Sequence, residues 1–454
     1  MTLEWSTRFQ KVKDKTCLIQ GLEGNSFSYQ QLIEYIRFWK NLLTENGVTG
    51  QSVVAFPGRY NASNVSLLLA VSEIGGVAVP LPGDGEDRIE RLLEIAQVTH
   101  WVAKQDFEGG SFPVVNLIQR PVSGTRHPLY EKLTAEGHGG LVLFTSGTTG
   151  DPKAAVQDID RLILRYEQPR NVDKMLAFMQ IDHIGGINTL FYVLCNGGTL
   201  VVPASRSPDD VAATIARNRI EVLPVSPTFL NLLLITGAID RHDLTSLRRI
   251  TYGSESMPQS VLDKVAEKLP GIELLQTYGT TELGILKSKS ENNQSLWMKL
   301  GGEGYETKIV DGRLWVRAQT SMLGYLNAPS PFDEEGFMDT NDEVEVRGEW
   351  MRILGRKSDF INVGGTKVSP VEVESVILEM PCVKEIAVRG TPHPIIGQVV
   401  EAVITLNEEM DAIAFKAQMR KHCAGRLPNE AIPAKITIAS GQLVTDRFKR
   451  DRRS

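Results

Sequence analysis

Leu141-Val-Leu-Phe-Thr145-Ser146-Gly147-Thr148-Thr149-Gly150-Asp151-Pro152-Lys153 is the stretch on which the reading of this chain turns. Its first four residues are an unbroken apolar run, as in a strand covered on both faces. The run opens into a loop with four hydroxyl residues and two glycines, closed by Pro152 and Lys153. Glycines let backbone N–H groups approach an anion, hydroxyls add donors, and a lysine adds charge. The adjacent Gly-Lys-Ser/Thr of a Walker A loop is missing, so a P-loop fold is not implied.

Outward from this loop, helical patterns alternate with short β-branched runs. Ser28 is placed to cap a helix carrying Leu32, Ile36, Trp39 and Leu43 on one stripe and ending at Gly47. Strands at 53–56 and 77–79 flank a helix over 65–71. The same beat recurs as strand 199–202, helix 209–216, strand 222–225 and helix 228–235. Such alternation predicts an α/β chain with layered, mostly parallel sheets. Residues 313–316 and 344–346 read as short antiparallel strands. A boundary falls at Gly355-Arg356-Lys357-Ser358-Asp359, giving an N-terminal domain over 1–356 and a small α+β C-terminal domain over 357–454. The latter is predicted as helix 371–379, strands 386–388 and 399–406, helix 413–423 and strand 436–438.

The 454 residues carry a net charge of −6, with 42% hydrophobic and 23% charged residues. That balance argues against a disordered chain, and against a broad basic face for nucleic acid or membrane. The longest apolar stretch, 66–81, is broken by Glu73 and Gly75-Gly76 and is too short to span a bilayer. Cys17, Cys195, Cys382 and Cys423 form no CxxC pair, and the N-terminus has no secretory h-region, so a cytoplasmic protein with reduced thiols is expected.

Four strings, in order, resemble the adenylate-forming superfamily of acyl- and aryl-CoA ligases, luciferases and peptide-synthetase adenylation domains. Thr145–Lys153 resembles its phosphate loop. Tyr278-Gly279-Thr280-Thr281-Glu282 is similar to its adenine and magnesium motif. Gly336-Phe-Met-Asp-Thr-Asn341-Asp342 resembles its ribose segment, and Gly355-Arg356 through Glu374 resembles its hinge and following helix. The size is similar to that of short ligases such as o-succinylbenzoate–CoA ligase.

The resemblance implies a large N-terminal domain, a mobile C-terminal domain, and ATP, Mg²⁺ and CoA as reactants or cofactors. It implies that Thr145, Ser146, Gly147, Thr148, Thr149 and Lys153 cradle phosphate. Gly253-Ser254-Glu255 would lie along adenine with Tyr278 stacked on its face. Thr281 would bond the α-phosphate, Glu282 would hold Mg²⁺, and Asp342 would accept the ribose hydroxyls with Arg356 assisting. Asn341 and Ala154 stand where the family has glycine. Spacing from Thr445 selects Lys449 as the catalytic lysine, with Phe448 in place of the usual glycine.

His183, in Gln180-Ile-Asp-His183-Ile-Gly-Gly-Ile187, resembles the acyl-pocket histidine of CoA ligases. Asp182, read as neighbouring it on a strand, would point the other way, which disfavours an amino-acid substrate. Gly364-Gly365 resemble the glycines past which pantetheine reaches the adenylate. The implied activity is ATP-dependent conversion of an aryl or short-to-medium acyl acid to its acyl-AMP, then to its CoA thioester. The alternatives are an adenylation enzyme loading the phosphopantetheine of an acyl carrier protein, and a non-catalytic nucleotide-binding relative.

Overall fold

The computed structural model describes residues 4–21, 24–83, 86–106, 112–122, 124–145, 152–166, 174–439 and 443. Strand Val53–Pro57 shows how the layers arise. Val53 and Ala55 join one apolar cluster, while Val54 and Phe56 join another on the opposite face. Strand Gly140–Thr145 divides likewise, Leu141 and Leu143 to one side and Val142 and Phe144 to the other. With a period of two and both faces covered, a central strand must be apolar throughout.

These strands lie in a seven-stranded sheet of mixed direction. A second seven-stranded sheet is parallel throughout except for its hairpin partner Asn25–Ser28. Between the two sheets lie helices Tyr29–Glu45, Ala62–Ile74 and Ile184–Cys195. Ser28 caps the first through a full capping box with Gln31. Helix Ala62–Ile74 absorbs most of the long apolar stretch and is buried on nearly every side, with Glu73 neutralised by Lys40 at 2.8 Å. Helices Pro208–Asn218, Pro227–Ile235 and Gln259–Lys268 cover the outer face of the second sheet.

Cys17 is buried in this interior, and Cys195 is partly buried against it. Burial pushes both Cys17 and Cys195 up to about 12.

A third, six-stranded sheet is antiparallel throughout and contains Arg313–Ala318, Met338–Arg347 and Trp350–Arg356. A single 3-10 turn, Lys357–Asp359, leads from its last strand to the C-terminal unit. There a five-stranded sheet carries helices Pro370–Ile377 and Ala412–Cys423. This unit rests on helix Gln259–Lys268: Lys264 Nζ donates to the Leu378 carbonyl at 2.8 Å, and the Ser260 N–H donates to Ser375 Oγ at 3.1 Å. No helix among the described residues is long and apolar enough to cross a membrane.

Candidate active site

The loop read first in the sequence joins two antiparallel strands, with Thr145 opposite Lys153 in register. A hairpin here, rather than a strand entering a helix, agrees with the missing Walker A ending. Ser146, Gly147, Thr148 and Thr149 lie outside the described residues, as does Lys449.

Adjacent parallel strands Arg249–Tyr252 and Glu273–Gln276 end together, Tyr252 opposite Gln276. Gly253 and Tyr278 follow within two residues of those ends, the edge at which parallel sheets bind ligands. A Cβ on Gly253 would sit 2.5 Å from Thr277 Oγ1 and 2.6 Å from the Thr277 carbonyl, so only glycine fits. Ser254 is left-handed at φ +70°, a conformation rare for serine and frequent where a site stores strain. Glu255 accepts the Thr228 N–H at 2.7 Å, at the positive end of helix Pro227–Ile235.

Tyr278 is buried, and its phenol donates to Asp342 Oδ2 at 2.5 Å. Burial, reinforced by that carboxylate, pushes the phenol well above its ordinary range, so it remains a neutral donor. Asp342 stands directly across the sheet from Arg356, with Arg356 Nε 3.7 Å from Asp342 Oδ1. Burial raises the Asp342 carboxyl above its ordinary value, outweighing the opposing pull of Tyr278 and Arg356. Asn341 is left-handed at φ +64° and so takes up the backbone shape that a glycine would supply.

Past Tyr278, Gly279-Thr280 pairs with Gly284-Ile285 in a two-rung hairpin, and Thr281 and Glu282 form its tip. A Cβ on Gly279 would lie 2.5 Å from the Gly284 carbonyl, so this hairpin requires its glycine. Gln157, buried on the strand that begins with Lys153, donates to the Thr281 carbonyl at 2.5 Å. Tyr325 donates its phenol to Glu282 Oε1. Among the described residues Glu282 Oε2 has no recorded donor, so a hard carboxylate oxygen fit for Mg²⁺ is available there.

The sequence signalled neither Gln157 nor Tyr325: each is a lone polar residue near a strand end, without a repeat or spacing to mark it.

His183 caps helix Ile184–Cys195 through Nδ1, which accepts the Gly185 N–H at 3.0 Å. Residues 181–183 form a turn, not the strand expected around Asp182. Asp182 instead abuts Gly58, where an added Cβ would come within 2.7 Å of its own Cβ. Gly364 and Gly365 make the left-handed turn between strands Ile361–Val363 and Thr366–Val368, at φ +59° and +93°. Lys367, two residues on, reaches Glu343 at 2.9 Å, next in sequence to Asp342. The turn is therefore tied to the strand bearing the buried carboxylate.

Comparison with known proteins identifies the family and the fold. The family model described as AMP-binding enzyme matches residues 5–326, and that of the AMP-binding enzyme C-terminal domain matches residues 372–448. The chain is 25% identical over 449 residues to a protein of Aromatoleum aromaticum named indoleacetate–CoA ligase, covering 88% of this chain and 87% of that one. It is 24% identical over 456 residues to a 2-succinylbenzoate–CoA ligase of Listeria monocytogenes, covering 94% and 95% of the two chains. Among solved structures, that of the anthranilate CoA ligase AuaEII with anthranoyl-AMP superposes with a TM-score of 0.81 at 21% identity, over 99% of this chain and 95% of that one.

Proposed function

Because the chain belongs to the AMP-binding enzyme family, we propose that it joins a carboxylic acid to ATP as an acyl-AMP and passes the acyl group to the thiol of coenzyme A. A carboxylate oxygen attacks the α-phosphorus while the bond to pyrophosphate breaks. The thiol then attacks the acyl carbon, AMP leaves, and the thiol proton passes to solvent. The observation that carries this reading is buried Asp342, an acceptor held by Tyr278 and set across from Arg356.

In this reading Asp342 accepts the ribose hydroxyls, while Gly253, Ser254 and Glu255 lie along the adenine and Tyr278 faces it. Thr145, Lys153 and the loop 146–150 hold phosphate oxygens, and Thr281 donates to the α-phosphate. Glu282 binds Mg²⁺, which when present supplies positive charge to the phosphates. Lys449 brings an ammonium to the oxygens that gain charge as pyrophosphate departs. His183 borders the acyl pocket. Gly364 and Gly365 leave room for the pantetheine, and residues 357–454 pivot at Lys357–Ser358 between the two half-reactions. The names of the Aromatoleum and Listeria relatives favour an aryl or short-to-medium acyl acid, and the use of ATP and CoA supports a cytoplasmic location.

ATP–pyrophosphate exchange across a panel of carboxylic acids tests the first step. Exchange is expected with at least one aryl acid, followed by thioester formation with free CoA. Exchange without a CoA thioester would move the acceptor to a carrier protein. No exchange with any acid would leave only a nucleotide-binding relative.

A further inference from the structure

Residues 320–327 cross between two parts of the site that are far apart in sequence. On one side Thr320 Oγ1 donates to the Leu283 carbonyl at 2.7 Å, and the Met322 N–H donates to the Glu282 carbonyl at 2.8 Å. On the other, Gly324 and Tyr325 pair with Val156 and Ala155 on the strand that starts at Lys153. Asn327 then brackets Lys153, its Oδ1 accepting the Ala154 N–H at 3.0 Å and its Nδ2 donating to the Pro152 carbonyl at 2.9 Å.

Tyr325 lies at the middle of this bridge. It is mostly buried, its phenol donates to Glu282 Oε1, and the Lys153 ammonium lies 5.3 Å from the centre of its ring. One side chain thus touches both the carboxylate proposed to hold Mg²⁺ and the lysine of the phosphate loop, by two different interactions. We propose that Tyr325 is the positioning residue that fixes Glu282 relative to Lys153, its hydroxyl orienting the carboxylate and its ring seating the ammonium. The inference rests on the functional reading above.

The two interactions separate by mutation. Tyr325→Phe removes one oxygen and keeps the ring, whereas Tyr325→Leu removes both. Binding of a non-hydrolysable ATP analogue is measured by calorimetry without metal and during a Mg²⁺ titration. Tyr325→Phe is expected to bind the analogue without metal within twofold of the parent, with its Mg²⁺ midpoint raised about three- to tenfold. Tyr325→Leu is expected to lose metal-free affinity as well, about threefold or more. In a Glu282→Gln background, Tyr325→Phe should change the Mg²⁺ midpoint no further, because a residue acting through Glu282 has nothing left to orient.

An unchanged midpoint in Tyr325→Phe, or equal losses with and without metal, would overturn the assignment while leaving the functional reading intact. A parent protein with no Mg²⁺-linked nucleotide binding would overturn the functional reading and this assignment together.

Discussion

Asp342 illustrates at residue scale how binding chemistry opposes stability. Its carboxyl is raised in the fold by burial, so the folded chain prefers it protonated. The associated stability is therefore present below the unfolded value and is lost as pH rises through the folded one. At neutral pH the ionised group is a net cost, retained for the hydroxyls it would accept. Asp342→Asn should therefore melt about 1–3 °C higher than the parent at pH 7–8. The gain should shrink toward pH 4, while ATP binding weakens by about tenfold or more. Melting curves across that pH range, with ATP titrations beside them, check both halves. Asp342, Tyr278 and Glu282 entered the reading through strings that resemble family motifs, and the structure brings Tyr278 onto Asp342. Gly253 cannot carry a Cβ, and Asn341 must turn left-handed. Tyr325 was not legible, because its role comes from strand pairing with Ala155, and no spacing along the chain encodes that contact.

Among elements, the helices were read best where an end signal and an apolar stripe agree. Tyr29–Glu45 begins after Ser28 as expected, with Ser28 Oγ accepting the Gln31 N–H at 3.2 Å and the Gln31 side chain accepting the Ser28 N–H at 2.8 Å. Ser28→Ala should cost about 1 kcal/mol of stability. This helix lies far along the chain from the site residues, so kcat should not change; chemical denaturation and a steady-state assay would show it. The third sheet was read only in part. Four of its strands run only three to six residues, and a period-2 pattern that short gives little to read. Asp182 was misplaced for a related reason. Asp182 was read as extended, but the chain turns there, with the His183 N–H donating to the Gln180 carbonyl at 3.1 Å.

For the whole molecule, the C-terminal unit is joined by one 3-10 turn and rests on helix Gln259–Lys268 through polar contacts and a shared apolar cluster. A short connection suits a unit that turns between two positions. Ser358→Pro would fix one angle and push Lys357 out of its helical conformation. Conversion between half-reactions should slow several-fold, while thioester formation from supplied acyl-AMP and CoA stays closer to normal. Rapid-quench measurement of both steps decides it, and equal rates in parent and variant would speak against a pivot. The thiols Cys17 and Cys195 bear on the same chemistry from another side. An acyl-AMP is a mixed anhydride, open to capture by any sulfur anion within reach. Burial holds both thiols, Cys17 in the interior and Cys195 partly buried against it, well above the ordinary thiol range, so both stay protonated near neutral pH. As long as the chain stays folded, these two sulfurs are poor rivals to the incoming acceptor, and the enzyme is spared acylation of itself at either position.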